Sequence, residues 1–189
     1  MWSQLIQICD SHSKKAKNSS MALDCLQVLM CELQTEANNF ILTQNKESQD
    51  LPYGRYLIHR AEDYNIQLDV FSRDYKGRIH CHNTWGIVNV LQGSLLIENW
   101  SENNDDFCMQ TSCYCPAGSS QCFSPPHSDW HRVSTQSEGA QTLSFHTYGK
   151  GFDLDEGIYL NDSLEKVVAK RSSFGHTRIL EKNLVRINQ

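Results

Sequence analysis

Apolar and polar residues change their rhythm near position 50. Before it, hydrophobic positions recur at helical spacing: Trp2, Leu5, Ile6 and Cys9 come first. After the polar stretch Ser11 to Ser20 comes a broad stripe of Leu23, Leu26, Val28, Leu29, Met30 and Leu33. A period near 3.6 predicts amphipathic helices here, with Ser20 as the N-cap of the second. Gln44 to Asp50 is polar throughout and reads as a connector ending near Pro52.

Beyond the connector the texture is that of strands. Ile66 to Phe71 alternates, Gly86 to Trp100 is rich in branched residues around a turn at Gln92-Gly93, and Gln141 to Tyr148 alternates again before Gly149. Short strands divided by Gly, Asn, Asp and Pro turns predict a sandwich or barrel. From about Asp153 the pattern is mixed and assigns no element. The expected organisation is one domain over 1–189. It comprises a helical N-terminal region over 1–45, a β-barrel core over about 52–150 and a C-terminal extension over 151–189.

Composition narrows the partners. The formal charge is −5, against the basic surface that phosphate binding requires, so nucleic acid is not expected. The one basic cluster, Lys14-Lys15-Ala16-Lys17, is short and flanked by serines, as a solvated loop is. No charged region followed by an apolar run and a cleavage site opens the chain, and no run reaches the roughly 18 apolar residues of a membrane span. A cytoplasmic protein with no membrane association is therefore expected. The eight cysteines are then free thiols by default. Cys113 and Cys115 are spaced as Cys-x-Cys, which supports neither a zinc ribbon nor a thioredoxin-like pair.

The candidate chemistry centres on Arg78-Ile79-His80-Cys81-His82. In a strand, residues two apart project to one face, so His80 and His82 can point into a common interior. Downstream, Pro125-Pro126 leads to Trp130-His131-Arg132-Val133, which offers a third imidazole at the start of a strand-like run. His127 is a rival for that role, but it follows two prolines in a loop-like stretch. Three neutral nitrogen donors suit divalent iron with open positions, and zinc also accepts three histidines.

These residues resemble two cupin motifs: Gly77, His80-x-His82 and Gly93 the first, the proline turn and His131 the second. Two departures stand out. Where most cupins place a glutamate ligand this chain has Gly86, and the second motif lacks its usual glycine. Over about Tyr53 to Tyr148 the resemblance narrows to the thiol dioxygenases, the cysteine dioxygenase family of cupins. It is carried by Tyr53-x-Arg55, His80-x-His82, His131 and Ser144-x-His146-x-Tyr148.

The resemblance implies a mainly β cupin (double-stranded β-helix, jelly-roll) barrel with an N-terminal helical cap. It implies Fe(2+) on His80, His82 and His131, with Ser144, His146 and Tyr148 as a catalytic row. Arg55 would clamp a substrate carboxylate, with Tyr53 beside it. The partners would be O2 and a small thiol, cysteine foremost because arginine rather than glutamine stands at position 55. Gly86 also takes the place of the cysteine cross-linked to tyrosine in animal enzymes, and His82-Asn83-Thr84-Trp85-Gly86 looks like the bacterial branch. A 3-mercaptopropionate-type enzyme, another three-histidine oxygenase and a non-catalytic binding module stay open, as does the oligomeric state.

Overall fold

The computed structural model describes residues 52–103, 106–123, 130–136, 141–153, 156–170 and 176–179. The helices expected over 1–45 and the rival ligand His127 lie outside the described residues. Among the described residues twelve strands run in chain order: β1 (Tyr53–Arg60), β2 (Tyr64–Phe71), β3 (His80–Cys81), β4 (Gly86–Gln92), β5 (Ser94–Asn103) and β6 (Asp106–Pro116). They continue as β7 (Ser120–Phe123), β8 (His131–Thr135), β9 (Thr142–Gly149), β10 (Glu156–Leu160), β11 (Lys166–Lys170) and β12 (His176–Ile179).

The strands form two six-stranded sheets, ordered β12-β1-β2-β9-β4-β7 and β11-β10-β3-β8-β5-β6. The four-strand blocks β2-β9-β4-β7 and β3-β8-β5-β6 are the two halves of a jelly roll, the fold of cupins. Among the described residues all strand pairings are antiparallel except β1 with β12. The turn expected at Gln92-Gly93 is present, and Gly93 takes a positive φ of 72° there. That conformation costs glycine little, and it carries the chain from one sheet to the other.

An apolar cluster joins the two walls. It takes Val88, Val90, Phe123 and Tyr148 from one sheet and Leu95, Ile97, Cys115 and Val133 from the other. Every residue of β2 and β9 is buried, so their alternation does not divide core from solvent. Ile66, Leu68, Leu143 and Phe145 bury hydrocarbon on one face. Asp69, Phe71, His146 and Tyr148 line a pocket on the other.

The segment after Asp153 completes both sheets. β10 pairs with β3, setting Tyr159 opposite His80, and β11 edges that sheet. Among the described residues Cys81, Cys108, Cys113, Cys115 and Cys122 are free thiols. Burial pushes Cys115 up to about 12, aided by Cys113, and pushes Cys122 to about 11. No helix among the described residues is long and apolar enough to cross a membrane.

Candidate metal centre and its pocket

Three short stretches bring the histidines together. His80 opens β3 and sits directly opposite His131, the first residue of β8. His82 follows β3, and the chain turns away at once through Asn83, whose φ of 55° is left-handed. Asn is among the few side chains that accept this conformation readily. The ligand-capable atoms of His80, His82 and His131 all lie within 4.8 Å of one another. The ring centroids stand 4.4 to 5.0 Å apart. His82 and His131 are buried and His80 is half-buried.

Local bonding prepares His80 as a ligand. Its Nδ1–H donates to the Arg78 carbonyl at 2.9 Å, which puts the ring in the tautomer whose Nε2 carries the lone pair. Cys81, between the two histidines, is buried with its thiol 3.7 Å from Asn83 Oδ1, and it takes no part in the cluster. Among the described residues the donor set is thus three imidazoles with no carboxylate or thiolate, and it fits a divalent cation that keeps positions for exogenous ligands.

The facing wall carries the polar row. Ser144, His146 and Tyr148 alternate on β9 and are all buried. Ser144 Oγ lies 2.7 Å from His146 Nε2, and His146 Nδ1 lies 2.8 Å from the Tyr148 hydroxyl. Burial, with help from the Arg55 charge, lowers the His146 pKa against the opposing pull of Asp69. The imidazole is therefore neutral near pH 7, donating through one nitrogen and accepting through the other. Tyr148 reaches towards the histidines: its ring centroid is 4.4 Å from that of His82, and Phe152 stacks on it at 4.2 Å.

Arg55 and Tyr53 extend inward from β1. Arg55 is only 6 % exposed, and its guanidinium donates to the Tyr53 hydroxyl through Nε at 3.1 Å and Nη2 at 2.8 Å. That hydroxyl donates onward to Asp69 Oδ2 at 2.6 Å. Burial, together with Asp69, holds the Tyr53 phenol well above its ordinary pKa although Arg55 pulls the other way, so it stays protonated. Burial opposes the charge on Arg55, but Tyr53 and Asp69 outweigh it and raise its pKa.

Sequence reading missed Asp69, an acid in an alternating strand that resembles any solvent-facing position. It also missed Tyr75 and Tyr159, which line the same pocket as Arg55, His80 and His131. Trp85 does not line that pocket. It is half-buried against Gly149, where an added Cβ would meet the Trp85 Nε1 at 2.2 Å.

No protein-family model matches the chain, and no curated protein does. Several solved cupins resemble its backbone. An RmlC-like cupin from Ralstonia eutropha JMP134 is 20 % identical, with 66 % of this chain and 69 % of that one covered, at a TM-score of 0.44. An RmlC-like cupin from Shewanella frigidimarina NCIMB 400 is 16 % identical over 55 % of this chain and 86 % of that one, at 0.41. An oxalate oxidase bound to the substrate analogue glycolate is 14 % identical over 55 % and 54 %, at 0.44. Likenesses this low say nothing about substrate or reaction; the cupin-type jelly roll rests on the strand order, and the centre on its three histidines.

Proposed function

We propose that the protein is a cytoplasmic non-haem iron(II) thiol dioxygenase that converts a small carboxylate-bearing thiol, cysteine foremost, to its sulfinic acid. The overall change, RSH + O2 → RSO2H, consumes the whole of one dioxygen and needs no external reductant. One observation carries this reading. Two of the three clustered imidazoles, His80 and His131, line a pocket together with a buried arginine and a tyrosine held by a Ser-His relay.

Iron(II) on His80, His82 and His131 would supply the one-electron chemistry through which dioxygen reacts with a closed-shell thiolate. The chain's own work is positioning. Arg55 anchors the substrate carboxylate through guanidinium hydrogens that Tyr53 leaves unused. Tyr148, oriented by His146 and behind it Ser144, presents its hydroxyl to the reacting sulfur. Phe71 and Val133 keep this end of the pocket apolar, and Phe152 stacks behind Tyr148, which strengthens each of those polar contacts.

The test is oxygen consumption by iron-loaded protein with cysteine, 3-mercaptopropionate and cysteamine, coupled to product mass. A gain of two oxygen atoms on the thiol is expected. Zero uptake with all three would remove the proposal.

A further inference from the structure

Asp69 and Arg55 carry opposite charges on adjacent strands, in register across β1 and β2, and both face the pocket. A simple buried ion pair would close to a direct contact near 2.8 Å. Here the nearest approach, Arg55 Nε to Asp69 Oδ1, is 3.9 Å. The Tyr53 hydroxyl stands between them, accepting from the arginine and donating to Asp69 Oδ2. Each charged group therefore keeps an unused atom. Among the described residues, Arg55 Nη1 and Asp69 Oδ1 are both buried and have no hydrogen-bond partner.

Burying one unsatisfied charged atom is costly, and burying two of opposite sign beside one another is a pattern with an obvious complement. Arg55 Nη1 wants an acceptor and Asp69 Oδ1 wants a donor. An α-amino acid presents both, a carboxylate and an ammonium on one carbon. His146 is no competitor for the carboxylate: its Nε2 lies nearer Oδ2, at 3.6 Å, and is already engaged with Ser144.

We infer that Asp69 receives the ammonium group of the substrate while Arg55 receives its carboxylate, so that the pocket selects zwitterionic amino thiols over mercapto acids that lack an amine. This rests on the thiol-binding reading above and assigns Asp69 as a specificity-determining residue. The bridging Tyr53 hydroxyl then has a second purpose: it spaces the two charges so that neither consumes the other.

The test uses zinc-loaded protein, which binds thiols without turning them over, and titration calorimetry with L-cysteine and with 3-mercaptopropionate. Wild type is expected to bind cysteine at least roughly tenfold more tightly, the scale of one charge-assisted hydrogen bond. Asp69→Asn is expected to bring the ratio near one by weakening cysteine alone. A wild-type ratio near one overturns the inference, and so does an Asp69→Asn variant that weakens both ligands equally. The wild-type ratio needs no variant, so a failure of Asp69→Asn to fold leaves the inference open to refutation. Oxygen uptake by the iron-loaded protein separates the two proposals. Uptake without a preference for the amine sinks the Asp69 assignment alone, and preference without uptake sinks the dioxygenase reading alone.

Discussion

The Phe123 ring stands where a side chain on Gly86 would have to go. A Cβ at position 86 would lie 2.2 Å from the Phe123 Cζ, and the two residues are direct partners across β4 and β7. The same ring packs against the centre, with centroid distances of 4.7 Å to His131 and 5.7 Å to His82. In the cupin resemblance this position belongs to a carboxylate ligand, and in animal cysteine dioxygenases to a cross-linked cysteine. In this chain hydrocarbon fills the space, so an ion held by the three imidazoles keeps its double charge and favours anionic ligands such as a thiolate.

Gly86→Ala is accordingly expected to destabilise the fold by about 1–3 kcal/mol, the usual cost of overpacking a closed core. Chemical denaturation measures it. Combining it with Phe123→Ala should recover part of that cost, so a double-mutant cycle will show coupling between the two positions. Additive losses would mean that the ring does not limit position 86.

Removing a ligand should empty the centre without unfolding it. His82→Ala is expected to lower divalent-metal affinity by about 100-fold or more, beyond what loss of an outer partner costs. Metal analysis after dialysis reads this, with circular dichroism as the control for the fold. Full occupancy in the variant would show that His82 is not a ligand.

Arg55→Gln separates anchoring from metal binding. The Michaelis constant for a carboxylate thiol should rise at least about tenfold while iron content stays at the wild-type level. Cysteamine, which has no carboxylate, should be little affected. Equal losses with both thiols would assign Arg55 a structural task only.

The buried His146 makes stability depend on pH. Its folded-state pKa lies below the ordinary 6.5, chiefly through burial. The unfolded chain therefore takes up the proton first, and the contribution present above pH 6.5 is lost as pH falls through the folded value. Thermal melts should show wild type losing stability relative to His146→Gln on acidification below 6.5. A constant gap between the two across that range would contradict a neutral, buried imidazole.

The alternating strands and the His80-x-His82 pair were legible because each follows a rule of period two. The same rule hid Asp69: in a half-exposed sheet the polar half of an alternation faces water, whereas β2 and β9 turn theirs into the pocket. The strand expected to carry both His80 and His82 is only two residues long, His80–Cys81, and exists through its neighbours β8 and β10, so His82 lies just past its end. β11 has lysines at both ends and alternates half-buried with exposed positions, which gave the C-terminal segment no readable pattern. Residue type alone does not bury an arginine; the resemblance put Arg55 in the pocket, and its place between Tyr53 and Phe152 shows how it is buried.

His80 and His131 hang from one wall of the jelly roll, while Arg55, Asp69 and Tyr148 hang from the other. A ligand that touches both sides must bridge the gap, and the width of that gap is kept by the valines and isoleucine wedged between the walls. Those inert side chains thus act as a ruler. Trimming Val90 or Ile97 would recalibrate which molecular length fits, without altering a single polar group.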